Sequence, residues 1–193
     1  IVIRSHGVEK KVYDLINEQG LELVDATCPF VLKIHKIVRE ESEKGNRILI
    51  IGNDSHPEVE GIKGWCKTRP IVVETEEDID SIDIKHGEKL VIVSQTTFNY
   101  KKFQDLVEII SKKGYDICAC NTICNATEAR QKEAALIAGE VDAMIVIGGK
   151  NSSNTQKLYA ISKHECANTY YIQTLVDLDL TTFESVSRVG ITA

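Results

Sequence analysis

Short apolar runs and longer amphipathic stretches alternate along this chain of 193 residues. Helices are predicted where apolar residues recur every three or four positions, as they do at Val31, Ile34 and Val38. Strands are predicted where β-branched or aliphatic runs are bounded by turn residues. The predicted strands cover residues 47–51, 71–74, 89–93, 143–147, 170–172 and 187–192, and the predicted helices cover residues 8–18, 30–44, 100–113, 126–138 and 155–164.

This alternation predicts an α/β fold built from repeated three-layer units with mainly parallel sheets, because continuous apolar strands separated by helices are typical of sheets covered on both faces. The pattern divides the chain into the C-terminal part of a first α/β unit (1–28), a second unit (29–115) and a third unit (116–193). Since both ends fall within apparent strands and no initiator Met is present, we expect the chain to be a piece of a longer protein.

Three predicted strands run directly into polar loops, at residues 52–58, 94–97 and 148–154. Ligands of parallel α/β sheets bind beyond the carboxyl ends of the strands, where helix N-termini favour anions such as phosphate. We therefore expect the three loops to share one functional edge. Each polar residue also has a simpler interpretation, since Ser, Thr and Asn commonly cap helices and a lone His is commonly solvated.

Composition narrows the class of protein. The net charge of −6 argues against a nucleic-acid partner, which would need a basic face. No apolar run approaches the roughly 20 residues that cross a bilayer, and no signal peptide is visible. We expect a cytoplasmic, reducing setting, in which the six cysteines are not paired as disulfides.

Two of those cysteines occupy equivalent places in a repeated pattern. Gly52 lies 24 residues after Cys28, and Gly148 lies 24 residues after Cys124. The cluster Cys118, Cys120 and Cys124 raises the question of zinc, but a structural zinc site usually has a second tight pair. Cys118 and Cys120 alternate within the strand-like run of residues 115–120 and are interpreted as buried apolar thiols, and Cys66 and Cys166 are interpreted as structural.

Several ordered motifs resemble the IspH/LytB family, the 4-hydroxy-3-methylbut-2-enyl diphosphate reductases. They are Arg4-Ser5-His6-Gly7, Val24-Asp25-Ala26-Thr27-Cys28-Pro29, His56-Pro57-Glu58-Val59-Glu60-Gly61, Ser94-Gln95-Thr96-Thr97, Ile123-Cys124-Asn125-Ala126-Thr127 with Arg130-Gln131, Asn151-Ser152-Ser153-Asn154 and Gly190-Ile191-Thr192-Ala193. The resemblance spans the whole chain. It implies reductive removal of an allylic hydroxyl, giving isopentenyl and dimethylallyl diphosphates in the last step of the non-mevalonate pathway.

The resemblance also implies roles for residues. Cys28 and Cys124 would be two of three ligands of a [4Fe–4S] cluster that lies centrally among α/β units in pseudo-three-fold arrangement. Glu58 would deliver protons to the leaving hydroxyl, and Thr96 would orient that hydroxyl. The diphosphate ligands would be His6, His56, Ser152, Ser153 and Asn154. An external donor such as ferredoxin or flavodoxin would supply electrons, and the oligomeric state is left open.

The family's first cluster cysteine is absent from this chain, and so are another substrate-binding His and a further Ser. We therefore expect the isolated chain to bind the cluster poorly and to be inactive. The alternative hypothesis is a non-catalytic α/β module that binds phosphate or zinc.

Overall fold

The computed structural model describes residues 1–80, 82, 84, 87–183 and 185–193. These residues form two compact units, and each is described by itself. The first contains residues 1–96 and 101–123, and the second contains residues 97–100 and 124–193. Every strand pairing in the described chain is parallel, which confirms the predicted α/β class.

The first unit holds two sheets and five helices within its described residues. Its strands are β1 (Val2–Ile3), β2 (Val24–Asp25), β3 (Arg47–Ile51), β4 (Ile71–Val73), β5 (Lys89–Ser94) and β6 (Asp116–Ala119), and its helices are α1 (Lys10–Glu18), α2 (Pro29–Glu43), α3 (Pro57–Lys63), α4 (Glu76–Asp80) and α5 (Tyr100–Lys112). The small sheet is β1-β2, and the larger sheet has the order β4-β3-β5-β6. Strand β6, which the sequence assigned to a third unit, pairs with β5. Helix α5 begins at Tyr100, which itself belongs to the second unit.

Helix α2 illustrates how the sequence makes its elements. Pro29 takes the first helical position, where its missing N–H is not needed, and Gly45 with φ of 88° follows the last turn. The predicted apolar face is confirmed, because Ile34 and Val38 are fully buried against β3 and β5. Each such side chain contributes about 1.5–3 kcal/mol of transfer free energy.

The second unit contains strands β7 (Ala143–Ile147), β8 (Thr169–Ile172) and β9 (Val189–Thr192) in the order β8-β7-β9. Its helices are α6 (Asn125–Ala138) and α7 (Ser153–Glu165), and two 3-10 turns cover Leu175–Asp177 and Leu180–Phe183. The core joins apolar residues of α6, β7 and α7, and Gly190 allows β9 to approach Ile137 of α6, since a Cβ there would lie 2.6 Å from that side chain. In the described part of the chain, no helix is long and apolar enough to span a membrane.

The expectation that three loops share one sheet edge is confirmed for two of them. Strands β3 and β5 are parallel neighbours with Ile51 opposite Ser94, so their carboxyl ends meet at the same edge. Strand β7 instead belongs to the sheet of the second unit. Sequence periodicity also missed α3 and α4, which are only seven and five residues long.

Candidate functional site

A buried carboxylate occupies the shared edge of β3 and β5. Glu58 lies in the first turn of α3, directly after β3, and is 2% exposed. The backbone N–H of Thr96 donates to its Oε1 at 2.6 Å, and the Thr96 hydroxyl donates to its Oε2 at 2.6 Å. Both oxygens are therefore held by one residue, and the carboxylate has a fixed orientation.

Burial raises the pKa of Glu58, because a charged carboxylate loses its hydration there. The two hydrogen bonds from Thr96 and the nearby charge of His6 oppose this effect without cancelling it. A carboxyl group with a raised pKa holds its proton to a higher pH than an exposed one, which suits a proton donor.

Two histidines stand next to this carboxylate. His56 is the N-cap of α3, and its Nδ1 accepts a hydrogen bond from the backbone N–H of Glu58 at 3.1 Å. A neutral His56 therefore carries its proton on Nε2. The ring of His6, which is exposed in the turn after β1, meets the His56 ring edge to face with 5.7 Å between centroids. The structure thus brings together four predicted site residues: His6, His56, Glu58 and Thr96.

Hydrogen bonds from residues to which the sequence assigned no role stabilise the shared edge of β3 and β5. The Thr122 hydroxyl donates to the Ser94 carbonyl at 2.6 Å and accepts from the Ser94 backbone N–H at 2.7 Å. Gln95, 2% exposed, accepts the backbone N–H of Asn53 at 3.2 Å. These bonds link the ends of β3 and β5 to the segment that precedes Cys124. The signal available in the sequence is the polar pair Asn121-Thr122, which directly precedes the motif that contains Cys124.

The two singled-out cysteines take the same local position in different units. Cys28 is the N-cap of α2 and Cys124 is the N-cap of α6, and both side chains are partly buried and unpaired. Neither thiol makes a capping hydrogen bond in the described chain. Both thiols therefore stand beside the free backbone N–H groups of a helix N-terminus.

The other four cysteines are placed differently. Burial raises the pKa of Cys66 to about 12, and Cys166 is buried, so the structural interpretation fits both. Cys118 is exposed and Cys120 is partly buried, so the prediction that both are buried was wrong for Cys118. The physical reason is that β6 is the last strand of the β4-β3-β5-β6 sheet and is exposed along most of its length.

In the second unit the loop after β7 leads into α7 and carries the three remaining predicted ligands. The Ser152 hydroxyl caps α7 by accepting the Thr155 N–H at 3.3 Å, which confirms the capping interpretation for this residue. The Ser153 hydroxyl accepts from Thr97 at 3.0 Å. The buried Oδ1 of Asn154 has no hydrogen-bond partner among the described residues. A buried amide oxygen without a donor is costly in free energy.

Helix α6 fixes the segment that carries Thr97. Gln131 accepts the N–H of Tyr100 at 2.9 Å through Oε1 and donates to the carbonyl of Phe98 at 3.0 Å through Nε2. Gln131 is 4% exposed, so these two bonds are shielded from water. The side chain acts as a backbone partner for residues 98–100 and so holds Thr97 against Ser153.

Among the residues that the structure describes, no three His, Cys, Asp or Glu side chains lie together in a way that could hold an ion.

Comparison with known proteins identifies a consistent set of relatives. A family model described as LytB protein matches residues 1–193. The 4-hydroxy-3-methylbut-2-enyl diphosphate reductase of Caldanaerobacter subterraneus subsp. tengcongensis is 42% identical over 193 residues, covering 100% of this chain and 66% of the relative. The corresponding enzyme of Alkaliphilus oremlandii is 45% identical over 194 residues, covering 100% of this chain and 69% of that protein.

A solved structure gives the same result. The E-1-hydroxy-2-methyl-but-2-enyl-4-diphosphate reductase from Plasmodium falciparum matches with a TM-score of 0.94 at 28% identity, covering 99% of this chain and 61% of that one. The chain therefore spans 66% of the length of the Caldanaerobacter relative and 61% of the Plasmodium one.

Proposed function

Because this chain belongs to the LytB family, we propose that it is part of a 4-hydroxy-3-methylbut-2-enyl diphosphate reductase. The reaction removes an allylic hydroxyl as water while the carbon skeleton gains two electrons and a proton. A second proton leaves with the hydroxyl. The observation that carries this proposal is the Glu58–Thr96 pair, a buried acid held through both of its oxygens.

Glu58 is the proton donor in this proposal. Its raised pKa favours the protonated form, and in that form one carboxyl oxygen can donate to the leaving hydroxyl. Once the proton has left, the Thr96 hydroxyl and backbone N–H stabilise the carboxylate through the two bonds seen here. Thr96 can also rotate its hydroxyl to accept from the substrate, which orients the oxygen that departs.

The diphosphate serves as a handle that positions the allylic carbon. His56 offers a donor at Nε2 when neutral, because its Nδ1 is already accepting from the Glu58 N–H. His6 extends the same donor surface in the first unit. Ser152, Ser153 and Asn154 offer hydroxyl and amide donors at the N-terminus of α7, where the helix dipole also favours an anion.

Cys28 and Cys124 have the properties expected of iron–sulfur cluster ligands. Cys28 and Cys124 are partly buried, unpaired and at helix N-termini, and thiolates are the ligands that such clusters require. We propose that these two residues hold a [4Fe–4S] cluster together with a third ligand that is not among the residues assigned here. When bound, such a cluster supplies electrons and Lewis acidity. The electrons would come from an external donor protein of the ferredoxin or flavodoxin type.

We also propose a cytoplasmic setting. All six cysteines are unpaired, as is usual where thiols are kept reduced.

A chimeric enzyme tests the proposal. In it, the matched region of the Caldanaerobacter reductase is replaced by this chain, so that the relative supplies the remaining sequence. We expect anaerobic reductase activity on 4-hydroxy-3-methylbut-2-enyl diphosphate. In the same chimera, Glu58→Gln should lower kcat by about 100-fold or more at unchanged iron content, because a carboxamide cannot deliver a proton.

The cysteines give the matched control. Cys28→Ser and Cys124→Ser should each reduce the iron bound per chain. Cys66→Ser should leave both iron and turnover unchanged, because its partly buried thiol donates to the Ile62 carbonyl. A chimera that binds iron but fails to reduce this substrate would exclude the proposed activity. Near-normal turnover of Glu58→Gln would remove Glu58 from the role of acid.

A further inference from the structure

A buried histidine of α2 has no place in the chemistry described so far. His35 lies seven residues after Cys28 and is 2% exposed. Neither of its ring nitrogens has a hydrogen-bond partner among the described residues. A neutral imidazole still carries one N–H and one acceptor nitrogen, so both are buried at a cost in free energy. An apolar side chain of similar size would avoid that cost.

The ring is held by aromatic stacking. His35 and Trp65 are nearly parallel, with 5.1 Å between ring centroids and 19° between planes. Tyr13 meets the same indole edge to face at 5.6 Å. The indole Nε1–H then donates to the Val8 carbonyl at 2.9 Å, which ties this stack to the loop that follows His6.

The edge of the imidazole lies directly under the same loop. Gly7 has φ of 68°, and a Cβ built on it would lie 2.6 Å from Cε1 of His35 and 3.1 Å from Cγ2 of Thr27. The glycine therefore permits a contact between ring and backbone that any other residue would prevent. Gly7 also lies against the loop that leads to Cys28, since Thr27 is the residue before that cysteine.

Helix α3 packs against the opposite side of the loop formed by residues 6–9. A Cβ on Gly61 would lie 3.6 Å from backbone atoms of His6, Gly7 and Val8, which is ordinary contact distance. A Cβ on Gly64 would overlap Glu9 at 2.3 Å. Residues 6–9 are thus packed between His35 and the glycine face of the helix that begins beside His56.

We propose that His35 is a positioning residue: its ring, stacked on Trp65, presses the loop of residues 6–8 against α3 and thereby fixes His6 beside His56. The functional consequence rests on the proposed role of His6 in binding the diphosphate. Burial lowers the pKa of His35 to about 4, although the negative charge of Asp25 acts to raise it. The ring is therefore uncharged at neutral pH.

Nuclear magnetic resonance of this chain reports the arrangement directly. The rings of His6 and His56 are close enough to give a nuclear Overhauser contact in the wild type. Binding of inorganic pyrophosphate, followed by calorimetry at pH 7.5, gives the functional readout. Three variants are compared with the wild type: His35→Ala, His35→Phe and the control Val38→Ala.

The expected pattern separates positioning from mere packing. His35→Ala should lose the contact between the two rings and weaken pyrophosphate binding about tenfold or more. His35→Phe keeps a flat ring against Trp65, so it should retain the contact and bind within about twofold of wild type. Val38→Ala removes a fully buried side chain of the same helix away from the loop, so it should lower stability and leave both readouts unchanged.

Two results would overturn the inference: His35→Ala retaining the ring contact, or His35→Phe losing it. If wild type does not bind pyrophosphate but the ring contact responds as expected, the proposed ligand role of His6 fails and the positioning role stands. If His35→Ala does not fold, Trp65→Leu decides, because it keeps apolar bulk but removes both the aromatic face on which His35 stacks and the Nε1–H donor to Val8. An unchanged ring contact in Trp65→Leu would then overturn the inference.

Discussion

Acidification should destabilise the first unit through His35, and the size of the effect follows from its burial. The pKa of this imidazole is about 4 in the folded chain, against an ordinary value of 6.5. The unfolded chain therefore binds a proton at a higher pH than the folded chain does. Stability is present in full above about pH 6.5 and is lost as the pH falls to about 4.

The magnitude is large for one residue. Each factor of ten in a protonation equilibrium is worth about 1.4 kcal/mol, so the difference between 6.5 and about 4 corresponds to roughly 3 kcal/mol. With a urea dependence on the order of 2 kcal/mol per molar, the unfolding midpoint should fall by about 1.5 M. The chain contains one tryptophan, and Trp65 stacks on His35, so its fluorescence follows unfolding at the relevant place.

Many carboxylates also titrate in this range, and the variant His35→Phe separates them from His35. Urea titrations of both proteins at several pH values between 4 and 7.5 give two curves of unfolding free energy. The difference between the curves isolates the histidine, and it should grow by about 3 kcal/mol toward pH 4 in favour of the variant. Parallel curves would show that His35 is protonated equally in both states, and the account of its burial would be wrong.

Two further predictions concern the ionisation of Glu58 and the packing of Gly148. Because burial raises the pKa of Glu58, ionisation of this residue opposes folding as the pH rises through that pKa. Glu58→Gln should therefore be more stable than wild type at pH 7.5 in urea titrations. This advantage should shrink toward pH 4. A variant less stable than wild type at pH 7.5 would contradict this. Gly148→Ala should destabilise the second unit by about 1–3 kcal/mol in thermal unfolding, because its Cβ would lie 2.3 Å from Oγ1 of Thr155. The same change in a Thr155→Ala background should cost clearly less, and equal costs in the two backgrounds would refute the steric explanation.

Periodicity predicted the long elements well because their signals are local. Helix α2 starts within one residue of its predicted start, since the proline at position 29 and the apolar face are both written in the sequence. Helix α3 was missed because seven residues are too few to show a helical repeat. The pairing of Glu58 with Thr96 depends on the register of Ile51 with Ser94, which no local pattern encodes. His35 was missed because a buried polar residue in an amphipathic helix is visible only from its contacts.

The same type of local turn, an Asx turn, precedes three of the candidate functional side chains. Three positions before Cys28, His56 and Cys124 stand Asp25, Asn53 and Asn121. In each case Oδ1 of that residue accepts the backbone N–H two positions later, at 2.9, 3.1 and 3.1 Å respectively. Such a turn needs only its own side chain, and the residue that follows it becomes the N-cap of a helix.

This Asx turn explains why Cys28 and Cys124 look equivalent in the sequence although they lie in different units. A short Asx turn sets the direction of the chain, and the helix that follows has free backbone N–H groups at its N-terminus. A side chain placed between them is therefore oriented and lies beside hydrogen-bond donors. His56 uses the same position to accept the Glu58 N–H, whereas neither thiol makes a capping bond in the described chain. The turn therefore supplies the same geometry to an imidazole and to two thiols, and the identity of the capping residue decides which chemistry each position can serve.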